Sequence, residues 1–600
     1  MRRNFAGLTV LLVSLGGVSE ARAQSGSPPP LMDPATSPGG PSVATPMPDP
    51  ATSPNVAPRP VDTTDLGNAL VRAAPVRTAP RPLAAAGSED AARAREPFVV
   101  APGSTPVDEP LRATSAHRFS RVRVEGFFRT RSDLGYGWDL NRGPTPMGAP
   151  LWPAAYIDGG QSRLQTNLDM RLRLDVEVSV GYGVTLRTRL HALDNVRFGS
   201  LPDADFVGGS VSQRAPSLPI DVRQLYGEVL LPIGVLRAGR MGALVDWGTG
   251  FFVNAGNGVD DDFGDVGDRI SFTTSLGGLL WTGLFENSAS GPATDVLDSR
   301  VRPAFDLDPR DDVRTVSFGV ARWDTPTTRR RLLAASRTRF DFGLMGAYRW
   351  QDYDYAPMQS PTSPRASIAR GLSVWLGDAW ARLDVGRLTL EAEVGLLSLN
   401  VKNISLDPTV MTNIPVTGLQ IGGVVRADWR ASERVFARVE LGFASGDSAP
   451  GFGARPQNIT PTQPGDLDGP QFNLAAGDTT IDNFRFHPNY RVDLILFRRI
   501  VGMLTDVAYA RPMVRWRVAS MLTLEAAAIA SLAMIASTAP GGAAPLGVET
   551  DLSATYEQEW GFAAKLEYGL LIPLAGFADV VRGVGAAPAH ALRATMAFRF

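Results

Sequence analysis

The chain of 600 residues contains no cysteine. That excludes disulfide frameworks, thiolate metal sites, cysteine nucleophiles and lipid anchors attached through sulfur. Lysine is almost missing: Lys402 and Lys565 are the only two, so positive charge is carried by arginine and a catalytic lysine has two candidates. Neither sign of charge dominates, with 59 basic against 61 acidic side chains. No basic stretch is concentrated enough to leave an electrostatic footprint for nucleic acid, and no nucleic-acid partner is expected. No apolar run reaches the roughly 20 residues of a spanning helix. The runs 5–18 and 521–535 are too short, and the second contains Glu525. His117, His191, His487 and His590 are scattered without paired zinc spacing. There is no nucleophile elbow, phosphate-binding loop or dinucleotide fingerprint. Nothing requires catalysis, so the chain reads as a non-enzyme without a cofactor.

What is present changes character along the chain. Arg2 and Arg3 precede the uncharged stretch 5–18, and Ala21-Arg22-Ala23 places small residues at the cleavage-recognition positions. Residues 1–23 therefore read as a secretory signal peptide. From 24 to 118 there are 19 of the 47 prolines and a single Phe, Trp or Tyr, Phe98. Such a segment buries too little apolar surface to offset its ordering entropy. It also carries Asp-Pro-Ala-Thr-Ser-Pro twice, at 33–38 and 49–54, a low-complexity duplication. Residues 24–118 are read as a disordered Pro/Ala-rich periplasmic linker, and 119–600 as the folded part.

The folded part alternates with period two. In 163–180, Leu164, Leu168, Leu172, Val176 and Val180 share one face, while Arg163, Asp169, Arg171, Arg173 and Glu177 share the other. Soluble strands usually stop at about 5 to 6 residues, whereas a tilted membrane-crossing strand needs roughly 9 to 11. The pattern recurs at 119–131 and 184–192 and, with more noise, at 222–231, 269–275, 278–286, 313–323, 338–350, 373–385, 388–399, 418–429, 434–445, 491–500, 505–518, 521–535, 549–558 and 561–572. Between these lie Gly/Pro/Asp/Asn-rich stretches such as 287–311 and 446–483, too long for tight hairpins. At the end, Leu592, Ala594, Met596, Phe598 and Phe600 alternate with Arg593, Thr595, Ala597 and Arg599. This ending resembles the C-terminal signal by which outer-membrane barrels are read by the barrel-assembly machinery, so Phe600 is expected to engage it. The expected fold is all-β, a transmembrane antiparallel β-barrel of about 16 to 18 strands, wide enough for a polar lumen. Tyr348, Trp350, Tyr353, Trp375, Trp380, Trp516, Tyr556 and Trp560 are candidates for its interfacial girdles, in contact with outer-membrane lipid.

Gly239-Arg240-Met241-Gly242, followed by Asp246-Trp247-Gly248-Thr249-Gly250 and Asn257-Gly258-Val259-Asp260, resembles the strand-and-loop region of alginate-export-type porins. So does Gly547-Val548-Glu549-Thr550-Asp551-Leu552, with the strand that follows at 566–573. Phe486-His487-Pro488-Asn489-Tyr490-Arg491-Val492-Asp493-Leu494 is more similar still to an uncharacterised family of predicted bacterial outer-membrane proteins associated with that superfamily. The resemblance implies a large barrel that passes an anionic polysaccharide through an arginine-lined constriction.

Seven arginines fall on faces that would line the lumen: Arg121, Arg123, Arg129, Arg171, Arg173, Arg187 and Arg189. Guanidinium forks bind carboxylates bidentately, which suits uronic acids or small anions. The same faces carry Glu125, Asp169, Asp175 and Glu177, so pairing within the wall competes with an anion ladder. The acidic stretch Asp260, Asp261, Asp262, Asp265 and Asp268 offers hard oxygen ligands for calcium, but it lacks EF-hand spacing and reads better as a solvated or constriction loop. The functional expectation is a bacterial outer-membrane channel or porin with a polar, arginine-containing lumen that passes anionic or saccharide solutes. Two other classes stay open: an envelope anchor using its periplasmic linker, and a barrel-embedded hydrolase assembled from separate strands.

Overall fold

The computed structural model describes residues 120–142, 155–157, 160–181, 183–197, 220–243, 245–288, 309–324, 329, 331–332, 337–355, 367–403, 415–447, 480–580 and 582–600. The signal-peptide and linker readings at 1–23 and 24–118 lie outside the described residues. The strands are β1 (Ser120–Tyr136), β2 (Ala155–Ile157), β3 (Gly160–Ser162), β4 (Leu164–Val180), β5 (Val184–Arg197), β6 (Ile220–Leu231), β7 (Gly234–Gly242), β8 (Val266–Leu276), β9 (Leu279–Ser288) and β10 (Val313–Arg322). They continue with β11 (Arg339–Tyr355), β12 (Ser367–Val385), β13 (Leu388–Val401), β14 (Val416–Arg430), β15 (Val435–Ala444), β16 (Val507–Ala519), β17 (Leu522–Ala533), β18 (Pro545–Glu557), β19 (Phe562–Pro573) and β20 (Ala589–Arg599).

Apart from the small hairpin β2–β3, each strand pairs antiparallel with the next along the chain, making one 18-stranded sheet. The sheet closes because β1 pairs with β4 along one edge and with β20 along the other, Phe128 facing Leu172 and Phe598. The barrel therefore has no free strand edge, the arrangement that lets a sheet satisfy its backbone inside lipid. Among the described residues no helix is long and apolar enough to cross a membrane.

The period-two pattern sorts side chains as expected, polar inward and apolar outward. Val122, Leu186, Ile270, Phe318, Trp375 and Leu552 stand 47 to 63% exposed on the outer face. Arg129, Arg171, Gln351 and Glu440 are at most 2% exposed inside. This is the inverse of a water-soluble protein and fits a barrel surrounded by lipid. Seven turns at one end take only two to four residues. Gly277 and Gly278, at φ +65 and +74, supply the two left-handed positions of such a turn between β8 and β9. The connections at the other end run from 11 to 62 residues.

Three sequence expectations need correction. Residues 491–500 do not form a strand; they belong to the β15–β16 connection and hold one π-helical turn, Leu496–Ile500. The alternation fails there because Ile495, Leu496 and Phe497 are all buried, leaving no polar face. Conversely, β7 escaped the pattern because its outward face carries Arg240, which pairs with Asp268 on β8. Trp380 is not a girdle residue. It points inward, 3% exposed, with its ring edge-on to Trp247 and Trp323 at 6.0 and 5.1 Å. Trp375, Trp516, Tyr556 and Trp560 do face outward.

Candidate functional site

Two of the long connections turn back into the barrel. The first, residues 243 and 245–265 between β7 and β8, is called the acidic loop; the second is residues 480–506 of the β15–β16 connection. Their aromatic side chains meet inside: Phe251 lies 4.7 Å from Phe486 and 5.6 Å from Phe484, and Phe486 lies 5.4 Å from Tyr490, measured between ring centroids. They pack on inward apolar side chains of β12 to β14, including Val374, Leu397, Leu399 and Val424. At those positions the wall is apolar on both faces because it receives the loops. Asn489 locks the loops to each other, its Oδ1 accepting from the Asp262 and Phe263 amides at 3.2 Å and its Nδ2 donating to the Phe263 carbonyl.

The opposite sector, β1, β4, β5 and β20, presents arginines to the tip of the acidic loop. Asp260 lies within ion-pair reach of Arg498 at 2.5 Å and of Arg131, Arg491 and Arg593 at 3.2 Å each. Asp262 reaches Arg491 at 2.7 Å, Arg131 at 3.1 Å, Arg129 at 3.2 Å and Arg171 at 3.8 Å. Six arginines thus converge on two aspartates. Main-chain oxygens of the loop accept as well: Val259 from Arg129 at 2.8 Å, Asp261 from Arg171 at 2.6 Å and Gly256 from Arg173 at 3.0 Å. Burial works to raise the Asp260 and Asp262 carboxyls, but the surrounding arginines, led by Arg593 at Asp260 and by Arg491 at Asp262, overcome it and hold both well below the usual carboxylate range. Asp261 is the exception: burial raises it, and its carboxylate takes the Gly258 amide at 2.6 Å instead of an arginine. Burial lowers His487, whose ring stands 3.8 Å from Asp265.

Of the seven arginines expected along the lumen, the structure brings Arg129, Arg171, Arg173 and Arg189 to the acidic loop. Arg189 donates to Asn257 at 2.8 Å and to Asp175 at 2.6 Å. Arg187 faces the lumen beside them but pairs with Glu177 at 2.9 Å. Arg123 pairs with Glu125 and Arg121 is exposed, both at the rim near the short turns. Sequence reasoning passed over Arg131, Arg491, Arg498 and Arg593. Arg131 and Arg593 lie on the same alternating faces as their recognised neighbours and were legible; Arg491 and Arg498 come from the second loop, which no periodicity announces. Among the described residues no group of three or more His, Asp or Glu is arranged to hold a metal ion.

No family model matches the chain, and no curated protein matches it either. Solved structures do match. Similar ones are outer-membrane channels. OpdK of Pseudomonas aeruginosa with vanillate is 8% identical, with a TM-score of 0.39 over 80% of this chain and 98% of that one. OccK8 (OprE) of the same organism is 10% identical, with a TM-score of 0.38 over the same shares. An anion-selective porin from Comamonas acidovorans is 12% identical, with a TM-score of 0.36 over 80% of this chain and all of that one.

Proposed function

We propose that this chain is a channel of the bacterial outer membrane that passes small anionic solutes through a constriction formed by the acidic loop. The observation that carries the reading is the convergence of six lumen arginines on Asp260 and Asp262, in a barrel whose 18 strands are enough to surround an aqueous path. With Asp133, Asp169 and Asp194 added, the five carboxylates around those six arginines still leave the cluster positive. A positive ring in a low-dielectric wall favours anions by its field and by bidentate donation. The alginate-export resemblance implies an extended uronate polymer as cargo; two loops folded into the lumen favour smaller solutes of the same charge.

Single-channel recording in planar bilayers tests this, with a salt gradient to read anion against cation preference. Steady, anion-selective conductance is expected, blocked by short uronate oligomers. Asp260→Asn with Asp262→Asn should raise conductance about twofold or more, because the loop tip loses its ionic partners. An inserted, folded barrel that conducts nothing would overturn the proposal and favour the anchor reading.

A further inference from the structure

The acidic loop is held at its tip by arginines, but at its base by something different. Segment 246–252 rests against β12 and β13. There Trp247 Nε1 donates to Asp378 Oδ1 at 2.6 Å, and the Thr249 amide donates to Glu393 Oε2. Gly248, at φ +54, allows this approach: a Cβ at that position would meet the Glu393 carboxylate at 2.4 Å and the Trp380 Cβ at 2.8 Å. Asp378 and Glu393 are 5 and 4% exposed, and they are diagonal neighbours on the inward face of the β12–β13 pair, where Glu393 faces Trp380 and Asp378 stands two residues before Trp380. Asp378 Oδ2 and Glu393 Oε1 are buried with no hydrogen-bond donor.

Among the described residues, neither carboxyl has a basic partner, although basic groups are close on every neighbouring strand. On β11, Arg339 is bound to Asp341 at 2.5 Å. On β12, Arg382 is bound to Glu391 of β13 at 2.5 Å, and Asp384 is held by Arg329 at 2.7 Å. On β14, Arg426 is bound to Glu440 of β15 at 2.8 Å and lies 3.8 Å from Glu391, and Asp428 pairs with Arg438 at 2.6 Å. In the loop itself, Asp246 accepts from the Ala255 amide at 2.9 Å. Two carboxylates at this separation, cut off from water and from arginine, do not both ionise.

We propose that Asp378 and Glu393 share one proton and form an alkaline-release latch on the base of the constriction loop. With the proton in place, one carboxyl donates to the other, and both present oxygens to Trp247 and Thr249. When that proton passes to water, two adjacent anions repel, the wall around them rearranges, and segment 246–252 loses its seat. The effect on conduction rests on the channel reading; the movement of the loop does not.

The missing cysteines make a direct test simple. A single nitroxide attached at Val253→Cys, in the full chain folded into lipid vesicles, reports loop mobility independently of conduction. Between about pH 6 and about pH 10, a range that spans buried carboxyl titrations, the label should pass from immobilised to at least about tenfold faster rotation. Asp378→Asn keeps the acceptor for Trp247 and donates to Glu393 without a proton to lose, so with it the label should stay immobilised throughout. A label that stays immobilised in the otherwise unaltered chain, or an identical transition with Asp378→Asn, overturns the latch. Recording conductance over the same range separates the two proposals. Loop release without any current sinks the channel and leaves the latch; current without loop release does the reverse.

Discussion

Asp506 stands at φ +45, a backbone conformation that asparagine and aspartate tolerate better than most residues. It ties two connections together by accepting from the Ile535 amide at 3.0 Å and from the Thr538 hydroxyl. Burial pushes its carboxyl up to about 7 against those donors. Asp260 and Asp262, held low by arginines, behave in the opposite way. Their contribution to stability is present above the usual carboxylate range and is lost only in stronger acid, as pH falls through their lowered values. For Asp506 the folded value lies above the unfolded 3.8, so the fold binds the extra proton. Stability therefore declines as pH rises from about 4 to about 7, and levels off beyond. Asp506→Asn keeps the backbone conformation and the acceptor oxygen but has no proton to release. Thermal unfolding followed by circular dichroism should show the parent losing ground to this variant across that window. A difference between the two that does not change with pH would mean that Asp506 is ionised in the fold.

At the scale of elements, the π-helical turn Leu496–Ile500 shows how the wall shapes an inserted loop. Its leading amides have no partners within the turn, a general property of helix starts. Glu549 of β18 accepts from Leu494, Ile495 and Leu496 at 2.9, 2.7 and 3.0 Å, and Asp493 accepts from Phe497 and Arg498 at 2.8 and 3.1 Å. Glu549→Ala would strand three buried amides, at about 1–3 kcal/mol for a buried group left without its partner. The exposed fraction of the loop should then grow about tenfold or more, read as trypsin cleavage at Arg491, Arg498 or Arg499 in the otherwise intact barrel. Glu549→Gln, which keeps an acceptor, should fall between. A loop in Glu549→Ala as resistant as the parent's would show that the apolar contacts suffice. The same element explains what the sequence could and could not announce. Strands such as β4 were legible because lipid on one side and an ionic lumen on the other impose strict alternation. The inserted loops obey no such rule, and their partners are set by closure, so Arg491 and Asp260, 231 residues apart in the chain, gave no local sign of their pairing. One trace was present: β13 reads apolar on both faces at Leu396, Leu397 and Leu399. That marks a wall with protein, not water, on its inner side.

For the molecule as a whole, everything depends on the seam where β1 meets β20. Gly126 and Phe600 exchange backbone hydrogen bonds at 3.0 and 3.1 Å, and Arg593 of β20 grips Asp133 of β1 at 2.7 Å. If that seam opens, both strands become edges and neither can satisfy its backbone in lipid. Loss there should therefore propagate around the barrel, whereas loss at a loop stays local. Gly126 probes both edges of β1 at once, against β4 on one side and against Phe600 at the end of β20 on the other. A Cβ added to it would lie 2.2 Å from the Arg173 main-chain oxygen and 3.1 Å from the Phe600 ring, so the backbone itself must move. Gly227, on β6, has nothing within 4 Å of the same position. Both glycines lie in strands and both substitutions replace hydrogen by the same β-branched side chain, so strand propensity cancels between them. Gly126→Val should cost about 1–3 kcal/mol of overpacking and so lower the urea midpoint of the whole barrel, in one cooperative tryptophan-fluorescence transition, while Gly227→Val leaves it near the parent. Equal midpoints for the two variants would mean that closure tolerates a displaced β1, and that the barrel's cooperativity originates elsewhere than at its seam.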